Sequence, residues 1–89
     1  MPSPSSERLV SLPDGVDLHA RPAAQFVRTA MAFESTIAVA AGDREADAKS
    51  LLAVLALGAK GGSALRLRAD GDDAPVALDT LAGCVETLQ

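Results

Sequence analysis

The only histidine of the chain, His19, lies two residues before Arg21 and three before Pro22. Proline is favoured in the first turn of a helix, where an N–H group would have no partner within the helix. Pro22 therefore predicts a helix that begins close to residues 20–22. A helix N-terminus carries unpaired N–H groups and a partial positive charge, which together favour anions such as phosphate. His19 is thus a candidate nucleophile beside an anion site, to which Arg21 adds a guanidinium group.

A nucleophilic imidazole must be neutral, and the positive end of a helix disfavours the imidazolium form of His19. Such a histidine could accept a phosphoryl group and release it again. The alternative is an ordinary histidine at a helix start, with no chemical role. A metal site is not expected, because the chain has no second histidine and its single cysteine, Cys84, is far away in the sequence.

The apolar spacing and the turn residues predict seven elements in the order β-α-β-β-α-β-α. Strands are expected at residues 8–12, 35–41, 44–47 and 64–69, and helices at 20–31, 51–57 and 75–88. This order indicates an α+β fold of two layers, in which helices cover one face of a sheet. We expect residues 1–6 to form a flexible N-terminal tail and residues 7–89 to form a single domain.

Composition narrows the classes of function. The 89 residues are 48% hydrophobic, with two Phe, no Tyr and no Trp, and the net charge is −4. The scattered basic residues and the scarcity of aromatic rings argue against nucleic-acid binding. A lone cysteine precludes an internal disulfide, and no apolar run approaches the roughly 20 residues that span a bilayer. We therefore expect a soluble, cytoplasmic protein without a cofactor, in which Cys84 is a small buried hydrophobic residue.

A family resemblance rests on two segments. The first is L-H-A-R-P-A-A at residues 18–24, which resembles the L-H-A-R-P-A signature of the HPr family, the phosphocarriers of the phosphoenolpyruvate-dependent sugar phosphotransferase system. The second is A-K-S-L-L at residues 48–52, followed by Leu57-Gly58, which is similar to the second HPr signature and lies at the expected separation. The resemblance implies an open-faced β-sandwich with a four-stranded antiparallel sheet and three helices on one face.

The resemblance also implies roles for three residues. His19 would accept a phosphoryl group through Nδ1 from phospho-enzyme I and pass it to an enzyme IIA domain, with Arg21 as the assisting cation. Such a chain is a phosphoryl-transfer intermediate rather than an independent catalyst. Ser50 matches the regulatory serine that an HPr kinase/phosphorylase modifies in the lineages that have this partner. The alternative is that Ser50 is a plain helix N-cap, which contributes about 1 kcal/mol.

A partner-docking surface is expected around the short helix at residues 51–57, which is apolar nearly all round. Leu52 and Leu55 are the main candidates for exposed contacts, together with Ala20 and Ala24 from the first helix. Leu51 is also a docking candidate. A core position is nevertheless the preferred interpretation for Leu51, Val54 and Leu57.

The loop before His19 departs from the usual HPr form in its length and in the presence of Asp17. The loop at residues 13–18 is about two residues longer than the usual HPr form, and Asp17 places a carboxylate in it that could favour the imidazolium form of His19 or repel phosphate.

A regulatory phosphoprotein of the same fold, acting through Ser50 or in a nitrogen-related phosphotransferase branch, is the main alternative to a carrier. A histidine-based phosphohydrolase is disfavoured because Asp17 is the only other acid or base near His19 in the sequence. A monomer is expected, since a carrier docks in turn with two partners.

Overall fold

Seven elements follow one another in the predicted order in the computed structural model, which describes residues 5–89. The strands are β1 (Ser5–Ser11), β2 (Thr36–Ala41), β3 (Arg44–Asp47) and β4 (Ala64–Asp70), and the helices are α1 (Ala20–Met31), α2 (Leu51–Ala56) and α3 (Ala74–Glu86).

The four strands form one open antiparallel sheet in the order β1-β4-β2-β3. Residues alternate along β4, so that Leu65, Leu67 and Ala69 are buried while Arg66 and Arg68 are exposed. Since side chains alternate between the faces of a sheet, the helices cover one face and the other is open. The predicted α+β architecture, an open four-stranded antiparallel sheet with three helices, is confirmed.

The first strand begins earlier than predicted. Ser5 and Ser6, which were expected in the N-terminal tail, belong to β1, where they lie opposite Asp70 and Ala69 of β4. The apolar pattern did not predict these strand residues because serine is polar. They belong to the strand because β4 is long enough to pair with their backbone. Residues 1–4 of the expected tail lie outside the described residues.

The strand of poorest propensity, β3, owes its place to the hairpin with β2. Gly42 has a φ of +61°, which suits the tight turn between the two strands. The register then sets Ala46 opposite Val39, and both side chains are buried. Burial on one face and backbone pairing thus stabilise a strand whose other residues are charged and exposed.

The third helix begins at a polar cluster and ends before its expected terminus. Asp73, its N-cap, accepts hydrogen bonds from the N–H groups of Glu34 (2.9 Å) and Ser35 (3.0 Å), and from the hydroxyl of Ser35. The Ser35 hydroxyl, followed by the Glu34 N–H, lowers the pKa of Asp73 below its ordinary value of 3.8. The helix ends at Glu86, and Leu88 is buried beyond it.

The core lies between the sheet and the helices and contains Ala, Val, Leu, one isoleucine and one phenylalanine. Its largest fully buried side chains include Phe26 of α1, Ile37 and Val39 of β2, Leu65 and Leu67 of β4, and Leu81 and Val85 of α3. Cys84 is half-buried rather than fully buried, and the hydroxyl of Thr29 lies 3.6 Å from its Sγ. None of the helices within residues 5–89 is long and apolar enough to cross a membrane.

Candidate functional site

His19 is the N-cap of α1, so the predicted helix start is confirmed. Its backbone is extended (φ −110°, ψ −163°), and its carbonyl oxygen accepts the N–H of Ala23 at 2.8 Å. The neighbours Leu18 and Pro22 are buried, whereas His19 itself is exposed. Burial on both sides therefore anchors the backbone while leaving the imidazole open to solvent.

Within residues 5–89, the first turn of α1 presents two unpaired backbone donors beside His19. Ala20 and Arg21 are the first two helical residues, so their N–H groups have no helical carbonyl four residues back. Pro22 has no N–H, and the next donor, Ala23, is already bonded to His19. The first turn also contains no acidic residue that would compete with a bound anion. These donors and the helix dipole make the turn suited to a phosphoryl group.

Arg21 adds an exposed cation to this turn. Its side chain is exposed and forms no ion pair within residues 5–89, so the guanidinium is available to an incoming anion. Among residues 5–89, no three His, Cys, Asp or Glu side chains come close enough to hold a metal ion. The guanidinium of Arg21 and the backbone donors of the first turn are suited to an anion.

Asp17 is directed into the protein rather than left free beside the imidazole. Its Oδ1 accepts the backbone N–H of Gly61 at 2.8 Å, and its carbonyl oxygen accepts the N–H of His19 at 2.9 Å. The Asp17 carboxylate therefore has a backbone partner, the N–H of Gly61, in the loop that follows α2.

Two contacts show how α2 is oriented relative to α1. Just before α2, the Lys49 ammonium donates to the carbonyl oxygen of Phe33, two residues after the end of α1, at 2.6 Å. Beyond α2, the carbonyl oxygen of Ala59 accepts the N–H of Leu18, just before the start of α1, at 2.9 Å. The two helices, which are in contact, therefore run in opposite directions. The end of α2 that leads to Ala59 is therefore the end closer to His19, and Ser50 lies at its other end.

The candidate docking residues differ widely in exposure. Leu52 is 81% exposed and Leu51 is 40% exposed, whereas Leu55 is half-buried and packs against the core. Ala20 is exposed and Ala24 is half-buried. The prediction that Leu51 is a core residue is wrong, since its side chain is exposed. The six-residue helix α2 buries only Val54 fully. The reading of Val54 and Leu57 as core residues is confirmed.

Sequence reasoning missed the partners of Asp17 and of Leu18 in the loop after α2. Short acidic side chains often accept backbone N–H groups in turns, which is a general signal for a residue such as Asp17. No local signal in the sequence indicates that the partner of Asp17 is Gly61, because Gly61 lies 44 residues further along the chain.

Comparison with known proteins agrees with this geometry. A family model described as the PTS HPr component phosphorylation site matches residues 6–87. The chain belongs to the HPr family. It is 44% identical over 72 residues to the phosphocarrier protein HPr of Haemophilus influenzae, covering 81% of this chain and 85% of that one. The crystal structure of the phosphocarrier protein HPr from Bacillus anthracis matches with a TM-score of 0.87 at 32% identity, covering 92% of this chain and 98% of that one.

An HPr-like segment also occurs inside a much longer protein. The multiphosphoryl transfer protein of Xanthomonas campestris is 42% identical over 82 residues, which cover 92% of this chain but only 10% of that protein. The HPr family as a whole belongs to the phosphotransferase system, so membership implies protein partners of that system.

Proposed function

We propose that this chain is a phosphocarrier that accepts a phosphoryl group on His19 from phospho-enzyme I and passes it to an enzyme IIA domain in phosphoenolpyruvate-dependent sugar uptake. The observation that carries the proposal is the position of His19, an exposed N-cap beside the unpaired N–H groups of Ala20 and Arg21. Membership in the HPr family supports it, since the family model is described by a phosphorylation site.

The transfer is a displacement at phosphorus. A neutral ring nitrogen of His19, Nδ1 by analogy with the family, attacks the phosphoryl group of the donor. A new N–P bond forms as the donor's bond to phosphorus breaks, and the electron pair of that bond stays with the donor. Negative charge is spread over the three phosphoryl oxygens, where the Arg21 guanidinium and the unpaired N–H groups of α1 can stabilise it. Transfer to enzyme IIA reverses these steps and restores His19, so the chain is an intermediate rather than an independent catalyst.

Partner docking is assigned to a surface made of Ala20, Ala24, Leu51, Leu52 and Leu55. The exposure of Leu51 and Leu52 supports this docking surface, because large apolar side chains in water favour contact with another protein. Apolar contacts are weakly directional, which suits a surface that must serve two different partners in turn. We expect the carrier to act in the cytoplasm as a monomer, so that one face is open to each partner.

The experiment that tests this function is a complete relay. Enzyme I, phosphoenolpyruvate and an enzyme IIA domain are combined with or without this chain, and phosphorylation of the IIA domain is followed by intact mass. The proposal expects phospho-IIA only when the chain is present, with no transfer through His19→Ala. Ser50→Ala is the matched control and should relay normally. No phospho-IIA with wild-type chain and cognate partners would contradict the carrier function.

A regulatory role for Ser50 is a second candidate. Ser50 is half-buried, and its Oγ accepts the N–H of Ala53 at 3.3 Å as the N-cap of α2. A phosphate there would add roughly two negative charges at the start of α2. Because Ser50 directly precedes Leu51 and Leu52 in the chain, such a phosphate would act on the docking surface that contains these two leucines.

Regulation through Ser50 is tested with ATP and an HPr kinase/phosphorylase. The expected product gains one phosphoryl mass that survives acid, and Ser50→Ala prevents the gain. Phospho-Ser50 protein should then accept phosphate from enzyme I more slowly than unmodified protein. Equal rates for the two forms would leave Ser50 as a structural N-cap only.

A further inference from the structure

Two loops meet at the start of α1. The leading loop, residues 13–18, runs from β1 to His19, and the facing loop, residues 58–63, runs from α2 to β4. Four hydrogen bonds join these loops and Leu12, the residue after β1. They are Leu12 N to Ser63 O (3.0 Å), Gly62 N to Leu12 O (3.0 Å), Gly61 N to Asp17 Oδ1 (2.8 Å) and Leu18 N to Ala59 O (2.9 Å). Three of the four use only backbone atoms. Asp17 supplies the only side chain among them.

Asp17 connects the facing loop to His19 directly. Its carboxylate accepts the N–H of Gly61, and its own carbonyl oxygen accepts the N–H of His19. One residue therefore bonds to the facing loop through its side chain and to the N-cap through its backbone. A hydrogen bond to an ionised carboxylate is stronger than one between neutral groups, so this contact restrains the leading loop more than a neutral bond would.

Gly61 allows the close approach on which this contact depends. A Cβ atom at Gly61 would lie 2.6 Å from the backbone nitrogen of Gly15, 2.8 Å from that of Val16 and 3.1 Å from the carbonyl oxygen of Pro13. These are backbone atoms of the leading loop, which cannot move aside as a flexible side chain would. Only glycine fits at position 61 without displacing the leading loop.

We propose that Asp17 is a positioning residue for phosphoryl transfer, which holds the backbone of His19 in place through its hydrogen bond to Gly61. This inference rests on the proposed carrier function of His19. Transfer between two proteins requires the imidazole to meet phosphorus in one geometry, and displacement by about 1 Å can slow a reaction by roughly 100-fold. The carboxylate acts here as a hydrogen-bond acceptor, not as a charge presented to the imidazole.

Three substitutions separate these roles. Asp17→Ala removes the acceptor and the charge, whereas Asp17→Asn removes the charge but keeps an oxygen that can accept the Gly61 N–H. Asp14→Ala is the matched control, because Asp14 is an exposed carboxylate of the same loop. Gly61→Ala tests the contact from the other side by forcing the loops apart. Each variant is measured for the maximal rate and the KM of phosphorylation by phospho-enzyme I, and for amide exchange at Gly61 and His19 by NMR.

We expect Asp17→Ala to lower the maximal rate about tenfold with little change in KM, and to speed amide exchange at Gly61 and His19. Asp17→Asn should recover most of the rate, and Asp14→Ala should match wild type in rate and exchange. Wild-type kinetics in Asp17→Ala would overturn the proposal. An Asn variant as slow as the Ala variant would also overturn it, since charge rather than hydrogen bonding would then be responsible.

The NMR measurements separate this inference from the carrier function. If wild-type protein accepts no phosphoryl group, the carrier function fails, and exchange alone decides whether Asp17 holds His19 in place. If wild-type protein is phosphorylated but Asp17→Ala leaves exchange at His19 unchanged, the positioning role fails while the carrier function stands.

Discussion

The backbone N–H of Leu18 donates a 2.9 Å hydrogen bond to the carbonyl oxygen of Ala59. Both residues are buried, Leu18 to 2% exposure. The bond ties the residue just before His19 to the loop after α2, although the two are far apart in the sequence. The start of α1 is thus held by tertiary contacts as well as by its own helical hydrogen bonds.

Truncation of Leu18 should destabilise the whole domain. Leu18→Ala removes a buried side chain from the core cluster, so the free energy of unfolding should fall by about 2–4 kcal/mol. Leu9→Ala is the control, because Leu9 is 69% exposed on β1, and its effect should stay within about 0.5 kcal/mol. Urea unfolding measures both. Similar stabilities for the two variants would show that Leu18 is not a structural anchor.

Loss of the Arg21 guanidinium should slow transfer without unfolding the protein. Arg21 is exposed, and a hydrogen bond to a charged group is worth roughly 1.5–3 kcal/mol. Arg21→Ala should therefore lower the maximal rate of phosphorylation by about tenfold or more, and Arg21→Lys should lose less because it keeps the charge. Rapid-quench kinetics measure the rates, with Arg28→Ala on the same helix as control. An unchanged rate in Arg21→Ala would remove this residue from the site.

Leu52 should matter to partners and not to folding. At 81% exposure it contributes little to the core, so Leu52→Ala should unfold at the same urea concentration as wild type. Its KM for phospho-enzyme I should rise several-fold, by the roughly 1 kcal/mol typical of a contributing interface side chain. Val76→Ala, at a 60% exposed position on α3, should leave KM unaltered. A KM that changes equally in both variants would place the docking surface elsewhere.

Acid should weaken the contact that Asp73, at the start of α3, makes with Glu34 and Ser35. Because hydrogen bonds from Ser35 and Glu34 lower the pKa of Asp73 in the folded protein, folding favours its ionised form. This stabilisation is fully present above the unfolded value, near 3.8, and is lost as the pH falls through the lower folded value. Asp73→Asn should be less stable than wild type at neutral pH, and the difference should shrink in acid.

Urea unfolding of Asp73→Asn across pH tests this linkage, with Asp72→Asn as the matched control. Asp72 is the exposed neighbour of Asp73 in the chain, and its substitution should leave the pH dependence of stability close to that of wild type. A constant difference between wild type and Asp73→Asn at every pH would mean that the ionisation of Asp73 is not coupled to folding.

Local signals in the sequence predict most of the elements. Pro22 and the apolar spacing that follows it mark α1, and Ser50 and Gly58 bracket α2. Alternation of leucine and arginine marks β4. These signals suffice because they reflect backbone preferences and burial that act over a few residues. The position of His19 at a helix start depends on the same local rules, and it was predicted for that reason.

Contacts between distant segments could not be predicted in this way. The hydrogen bonds that Asp17 accepts from Gly61 and that Asp73 accepts from Ser35 join residues 44 and 38 positions apart. The strand order decides which loops meet. The exposure of Leu51 was misjudged for a related reason, since an all-apolar helix does not reveal which face the rest of the protein covers. Each of these features depends on tertiary packing rather than on local propensity.

The central claim, that His19 is the phosphoryl acceptor, is tested most directly by intact mass spectrometry after incubation with enzyme I and phosphoenolpyruvate. We predict that wild-type protein gains one phosphoryl mass that mild acid removes, and that His19→Ala gains none. Because the chain has one histidine, an acid-labile gain that persists in His19→Ala would contradict the claim. Wild-type protein that stays unmodified with its cognate enzyme I would contradict it equally.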